Sequence, residues 1–220
     1  MRESKLKPGW KSSKIQRLKY RTYLIFGAPG SGKGTQGLTL GTLPRFYHCA
    51  CGDVFRSIDT RTPIGGLFME YSSRGELVPD DVTIALWQEA ITAKIVDKSF
   101  KPDIDVLILD GIPRNRCQAE LMEEMIQVQR VFHLVCRDRE MIIHRLKKRA
   151  LKDNRLDDAN EEVIRRRLET YERETKPVLD YYGKDKIEEI DATQTPSQVL
   201  VHILNQINPL EADHQHHSNW

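Results

Sequence analysis

Cysteine is scarce, with four in 220 residues. Cys49 and Cys51 are two apart, and Cys117 and Cys136 stand alone, so no metal-ligand spacing recurs. This excludes a disulfide-stapled scaffold and reads as free thiols in a reducing, cytoplasmic compartment. No stretch reaches the roughly 18 consecutive apolar residues that span a bilayer. An excess of one charge is missing too: 34 Lys and Arg against 32 Asp and Glu leave a net charge of +2. That balance argues against bulk nucleic-acid binding. No internal repeat or low-complexity stretch interrupts the chain, whose length fits one domain with small inserted lobes and a good core.

The ends differ from the middle. Residues 1–20 are rich in Lys and Arg, lack the apolar core of a signal peptide, and read as a solvated, flexible extension. A basic arm touching nucleic acid is the alternative. Residues 211–220 carry His214, His216 and His217 and read as a flexible tail, with adventitious metal binding the other reading.

Between these ends, residues 27–35 are the richest in chemistry: Gly-Ala-Pro-Gly-Ser-Gly-Lys-Gly-Thr, directly after the apolar run Tyr23–Phe26. A strand running into a glycine-rich loop, with a lysine opening the next helix, is built to hold a phosphate chain. Glycines let backbone N–H groups turn inward, and with the helix N-terminus these form an anion nest. Lys33 adds a full charge near the terminal phosphates. The residue after Lys33 is Gly34, and the hydroxyl comes one place later at Thr35. In the commoner pattern a Ser or Thr directly after the lysine ligates Mg2+, so here magnesium must be held mainly from elsewhere.

Apolar runs alternate with helical stretches. Strands are expected at 23–26, 106–109, 131–136 and 187–190, and helices from about 33 and near 53–59, 63–73, 80–97, 116–127, 138–150, 161–182 and 196–207. Such alternation argues for an α/β fold, a parallel sheet covered by helices on both faces. Pro177 falls inside the 161–182 pattern and should kink it.

Val106–Leu109 ends in Asp110, a carboxylate at the C-terminal end of a buried strand, where phosphate-loop enzymes hold Mg2+ through water. Gly111 and Pro113 then force a turn that aims Arg114 at the same edge. Arg56, Arg145, Arg149, Arg155 and Arg167 add to a surplus of guanidinium groups without a candidate nucleophile. Transfer of a phosphoryl group between two nucleotides needs that set, because two polyanions must be brought together and neutralised.

These residues carry a resemblance to a known family. Gly27–Thr35 followed by Gln36 resembles the adenylate kinase phosphate loop, Gly-Thr ending included. Cys51–Arg56 is similar to that family's Thr-Gly-Asp-Leu-Leu-Arg segment, and Gly75–Asp80 to its Gly-x-Leu-Val-Pro-Asp stretch. Asp110–Arg114, with Gln118 beyond, resembles Asp-Gly-Phe-Pro-Arg. Arg155–Asp158, Arg167-Leu168 and Tyr171 resemble Arg-x-Asp-Asp and Arg-Leu-x-x-Tyr. The likeness runs from about 22 to 207.

The resemblance implies a phosphate-loop five-stranded parallel sheet over 21–210, with a small helical lobe for the monophosphate at about 50–80 and a short lid at about 150–160. It implies reversible, Mg-dependent transfer of the ATP γ-phosphoryl group to AMP, giving two ADP. Gly27, Ala28, Pro29, Gly30, Ser31, Gly32, Lys33, Gly34 and Thr35 would cradle the ATP phosphates, with Arg145 against the adenine and Arg149 nearby. Cys51, Arg56, Glu76, Leu77, Val78, Gly111, Arg114, Gln118, Arg155 and Arg167 would hold AMP, with Gln118 reading the adenine edge. Lys33, Arg114, Arg149, Arg155 and Arg167 would act on the transferring group, and Asp53 and Asp110 would organise hydrated Mg2+. Ala150–Asn160 contains no cysteine, so no structural zinc is expected there. A monomer whose partners are ATP and AMP, with neither nucleic acid nor membrane, follows.

Two positions leave the acceptor open. Cys51 stands where adenylate kinases typically carry threonine, and Asn115 occurs in the pyrimidine-kinase form of the Pro-Arg-Asn motif. Gln118 and Ala119 match the adenylate form. The alternatives are a UMP/CMP kinase of the same fold and a non-catalytic nucleotide-binding regulator, the latter opposed by Lys33 and the intact arginine set.

Overall fold

The computed structural model describes residues 19–153, 158 and 160–217. Five parallel strands form one sheet: β1 (Tyr20–Gly27), β2 (Phe46–Ala50), β3 (Val106–Asp110), β4 (Ile126–Val135) and β5 (Ile187–Asp191), in the order β2-β3-β1-β4-β5. β1 is central and buried from Thr22 to Gly27, as expected of a strand covered on both faces. Its side chains alternate between two cores. Leu24 and Phe26 join Trp87, Leu107 and Leu109 on one side, while Tyr23 and Ile25 join Ile108, Phe132 and Ile203 on the other. Ile25 pairs with Asp110 and Gly27 with Leu134, so the ends of β1, β3 and β4 lie together at one edge.

The helices cover both faces: α1 (Lys33–Leu40), α2 (Cys51–Arg56), α3 (Pro63–Arg74), α4 (Asp80–Val96), α5 (Arg116–Met122), α6 (Arg139–Asp153), α7 (Glu161–Thr170), α8 (Val178–Tyr182) and α9 (Pro196–His217). Their caps are local chemistry. The Thr62 hydroxyl accepts the Gly65 N–H before Pro63 opens α3, and the Asn160 carboxamide accepts the Glu162 N–H at the start of α7. A third cluster, Ile142, Ile143, Leu146, Ile164 and Leu168, packs α6 against α7. Among the described residues no helix is long and apolar enough to cross a membrane.

Four elements depart from the sequence expectation. β2 was not foreseen; it is an edge strand, mostly half-buried, and its Tyr-His-Cys run lacks an apolar signature. The helix expected over 116–127 stops at Met122, and Ile126 already begins β4. The helix expected over 161–182 divides around Pro177, whose ring clashes with the carbonyl four residues back. The chain widens into a π turn, Tyr171–Thr175, in which the Lys176 N–H reaches the Tyr171 carbonyl at 2.9 Å. Finally, α9, expected to end near 207, continues to His217 through Pro209, and the Tyr23 hydroxyl donates to Glu211 Oε1 at 2.7 Å. Residues 1–18, 154–157, 159 and 218–220 lie outside the described residues.

Candidate active site

A cleft of about 680 Å³ opens at the C-terminal edge of the sheet, within the range of small-ligand sites. Its floor is the loop between β1 and α1. Gly27 has φ 148°, and a Cβ there would meet Ser31 Oγ at 2.5 Å and the Leu134 carbonyl at 2.6 Å. No other residue fits that position. Gly32, at φ 97°, precedes α1 in left-handed conformation without a side-chain cap, which leaves the first N–H groups of α1 for a ligand. Ser31 Oγ, in the same loop, is buried without a hydrogen-bond partner, a polar group left for a ligand to satisfy. Lys33 Nζ donates to the Gly27 and Ala28 carbonyls at 2.8 and 3.1 Å. Burial pulls its pKa down to about 8, Asp110 opposes the fall, and Arg114, Arg149 and Arg167 add to it.

The structure brings nearly all the expected residues to this cleft. Gly27, Pro29 to Thr35, Cys51, Asp53, Arg56, Glu76, Leu77, Val78, Asp110, Gly111, Arg114, Gln118, Arg145, Arg149 and Arg167 line it. Ala28 does not; its side chain packs against the α6–α7 cluster, while its carbonyl accepts from Lys33 Nζ. Arg155 lies outside the described residues.

Side chains within the cleft are already organised. Arg114 Nε donates to the Gly111 carbonyl at 2.8 Å, while its backbone N–H donates to Gln118 Oε1 at 2.8 Å. Arg145 Nη1 donates to the Ala192 carbonyl at 2.8 Å. Arg56 pairs with Asp53 at 2.5 Å, and Glu76 with Arg74 at 3.0 Å. Cys51 is buried, and burial pushes its thiol up to about 11, so it meets a ligand as a neutral, small apolar group.

Sequence reasoning gave no role to Asp158 or Asp80. Asp158, fully buried, accepts from Arg149 Nε at 2.6 Å and from Arg167 Nη1 at 2.5 Å. It gathers guanidinium groups from α6 and α7. Its place in the Arg-x-Asp-Asp segment was the available signal. Asp80, first residue of α4, accepts from the Asn115 and Gln118 amides, both at 2.8 Å.

The donor set also tests the fit of Mg2+. Among the described residues no three His, Cys, Asp or Glu side chains stand together as a metal cage. Asp110 Oδ2 lies 3.5 Å from where a Gly34 Cβ would be, at the mouth of the phosphate loop. One hard carboxylate beside a phosphate cradle fits a cation that keeps most of its waters and takes the rest of its ligands from substrate phosphates.

A glycine-rich anion cradle facing a fan of arginines across one cleft defines a phosphate-loop phosphotransferase. The adenylate kinase family model matches residues 25–187. The chain is 36% identical to an adenylate kinase of Cyanothece sp. over 86% of its own length and 96% of that protein's. It is 38% identical to the adenylate kinase of Thermobifida fusca over 77% and 88% of the two chains, and 40% identical to that of Bifidobacterium longum over 72% and 84%. The chain belongs to the adenylate kinase family.

Proposed function

We propose that this protein catalyses the reversible, Mg-dependent transfer of the γ-phosphoryl group of ATP to AMP, giving two ADP. The observation that carries this reading is that one cleft joins the phosphate loop, with Lys33 and Asp110, to Arg56, Arg114 and the buried Gln118. The loop N–H groups and Lys33 take the donor phosphates, with Arg145 beside the donor base. Arg56 and Arg114 take the acceptor phosphate, and Cys51, Leu77, Val78 and Gln118 frame the acceptor base. Arg149, Arg155 and Arg167 close on the transferring group. Such transfer asks little covalent help from the protein; alignment and charge neutralisation carry it. Asp53 and Asp110 would hold hydrated Mg2+, which would supply charge neutralisation at the donor phosphates when bound.

In this reading residues about 50–80 are the monophosphate lobe and about 150–160 a short lid whose closure excludes water, so that ATP is not hydrolysed. The protein acts as a cytoplasmic monomer on ATP and AMP. UMP/CMP kinase activity is the second reading, favoured by Cys51 in the acceptor wall. Incubation with MgATP and each of AMP, CMP, UMP and GMP separates the two. AMP should be the best acceptor; faster turnover of CMP or UMP would replace the assignment.

A further inference from the structure

Gln118 is 1% exposed, yet it is among the residues that line the cleft. A primary amide can turn end over end, exchanging its donor and acceptor faces at little intrinsic cost. Here two contacts forbid the exchange. Oε1 accepts the Arg114 backbone N–H at 2.8 Å, and Nε2 donates to Asp80 Oδ1 at 2.8 Å. Turned over, Nε2 would oppose an N–H that can only donate, and Oε1 would oppose a carboxylate. The same Asp80 oxygen accepts from Asn115 Nδ2 at 2.8 Å, and Asn115 Oδ1 accepts the Gln118 N–H at 2.9 Å. Asp80 is thereby tied to the first turn of α5, which carries Gln118.

We propose that Asp80 is a specificity-positioning residue: by locking the Gln118 amide it makes the acceptor site choose between amino and oxo bases. The inference rests on the AMP reading of this site. After its two anchors are counted, the amide offers one N–H and one lone pair. Adenine and cytosine present an exocyclic amino donor beside a ring-nitrogen acceptor. Guanine and uracil present a carbonyl acceptor beside a ring N–H donor. With the acceptor phosphate fixed by arginines, a base meets the amide in one sense only. A locked amide pairs with one class and leaves the other donor-to-donor and acceptor-to-acceptor; AMP as substrate makes the favoured class the amino bases. Asp80 touches no substrate in this scheme and acts through Gln118.

The test is a ratio, which general loss of stability does not move. Steady-state kcat/KM is measured for AMP, GMP, CMP and UMP with MgATP on the full-length protein and on Asp80→Ala and Asp80→Asn, with melting temperature and the KM for ATP alongside. The intact protein should prefer AMP to GMP and CMP to UMP. Asp80→Ala should narrow both preferences by about tenfold, the scale of one buried, mispaired hydrogen bond, while the KM for ATP stays within about twofold. Asp80→Asn keeps the shape but can turn its own amide to suit a turned Gln118, so it releases the lock and should narrow both preferences too. A folded variant with both ratios unchanged overturns the lock. Loss of fold in both variants would make Asp80 a structural anchor and overturn it as well. Absence of AMP turnover by the intact protein would instead refute the proposed function.

Discussion

Lys33 is the residue on which the donor half of the cleft turns. Its ammonium sits on the Gly27 and Ala28 carbonyls, among arginines that repel it, with its pKa near 8 in the ligand-free protein. Below pH 8 it is charged; as the pH rises through 8 it loses its proton. A phosphate chain entering the loop adds negative charge and pulls the proton back. ATP binding above pH 8 must therefore take up a proton, and the ATP dissociation constant should rise as the pH goes from 7 to 9.5. Titration calorimetry at pH 8.5 in two buffers of different ionisation enthalpy reads that uptake directly. A dissociation constant flat across this range would contradict the charge assigned to Lys33. Lys33→Ala should leave no more than a few per cent of turnover; greater survival would refute the role of the loop. This much was legible in the sequence, because the loop is local: strand, glycines and lysine are contiguous. The partners of Arg149 and Arg167 were not, since both meet a single carboxylate nine residues away along the chain.

At the scale of elements, what was legible is what has a strong period or a buried run. β1 and β3 announce themselves by continuous apolar residues, and α7 by its 3/4 spacing. β2 did not, since this edge strand is mostly half-buried, and a Tyr-His-Cys run is neither alternating nor uniformly apolar. The π turn was hidden for another reason. Pro177 foretold a break, but how the chain absorbs it depends on what the turn packs against. Tyr171 supplies the answer: its hydroxyl lies 2.9 Å from His133 Nε2 on β4, both groups buried, with His133 Nδ1 3.4 Å from Glu189 Oε1 on β5. That bond fastens the turn to the sheet. Arg167 lies four residues earlier, on the same helical face as Tyr171, and both line the cleft. Tyr171→Phe should leave His133 Nε2 without its partner and destabilise the protein by about 1–3 kcal/mol, lowering the melting temperature by roughly 2–4 °C for each kcal/mol. It should also lower kcat more than it raises the KM for AMP, since Arg167 is displaced rather than removed. An unchanged melting temperature would show that the bond contributes nothing.

Over the whole molecule, the cleft is an assembly of like charges that must be held together before any substrate arrives. Lys33, Arg114, Arg149 and Arg167 converge on it from α1, the loop after β3, α6 and α7. Asp158 offsets part of their repulsion. It is fully buried, and its two oxygens are divided between α6 and α7, with Arg149 at 2.6 Å and Arg167 at 2.5 Å. A buried carboxylate so placed is worth most as one member of a cluster; removing a single partner from such a cluster commonly costs about 3–5 kcal/mol. Asp158→Asn keeps the shape and removes the charge. The ligand-free variant should melt several degrees below the parent, as the arginines are left facing one another. Excess ATP brings negative charge to the same guanidinium groups, so the rise in melting temperature that ATP produces should be larger in the variant than in the parent. Turnover should nevertheless fall by about tenfold or more, because arginines that find the phosphate chain without Asp158 lack the common anchor that aligns them on the transferring group. Thermal melts with and without ATP, set beside kcat, separate these effects. Equal ATP-induced shifts in the two proteins would mean that Asp158 and the phosphate chain do not compete for Arg149 and Arg167, and that the carboxylate serves the fold alone.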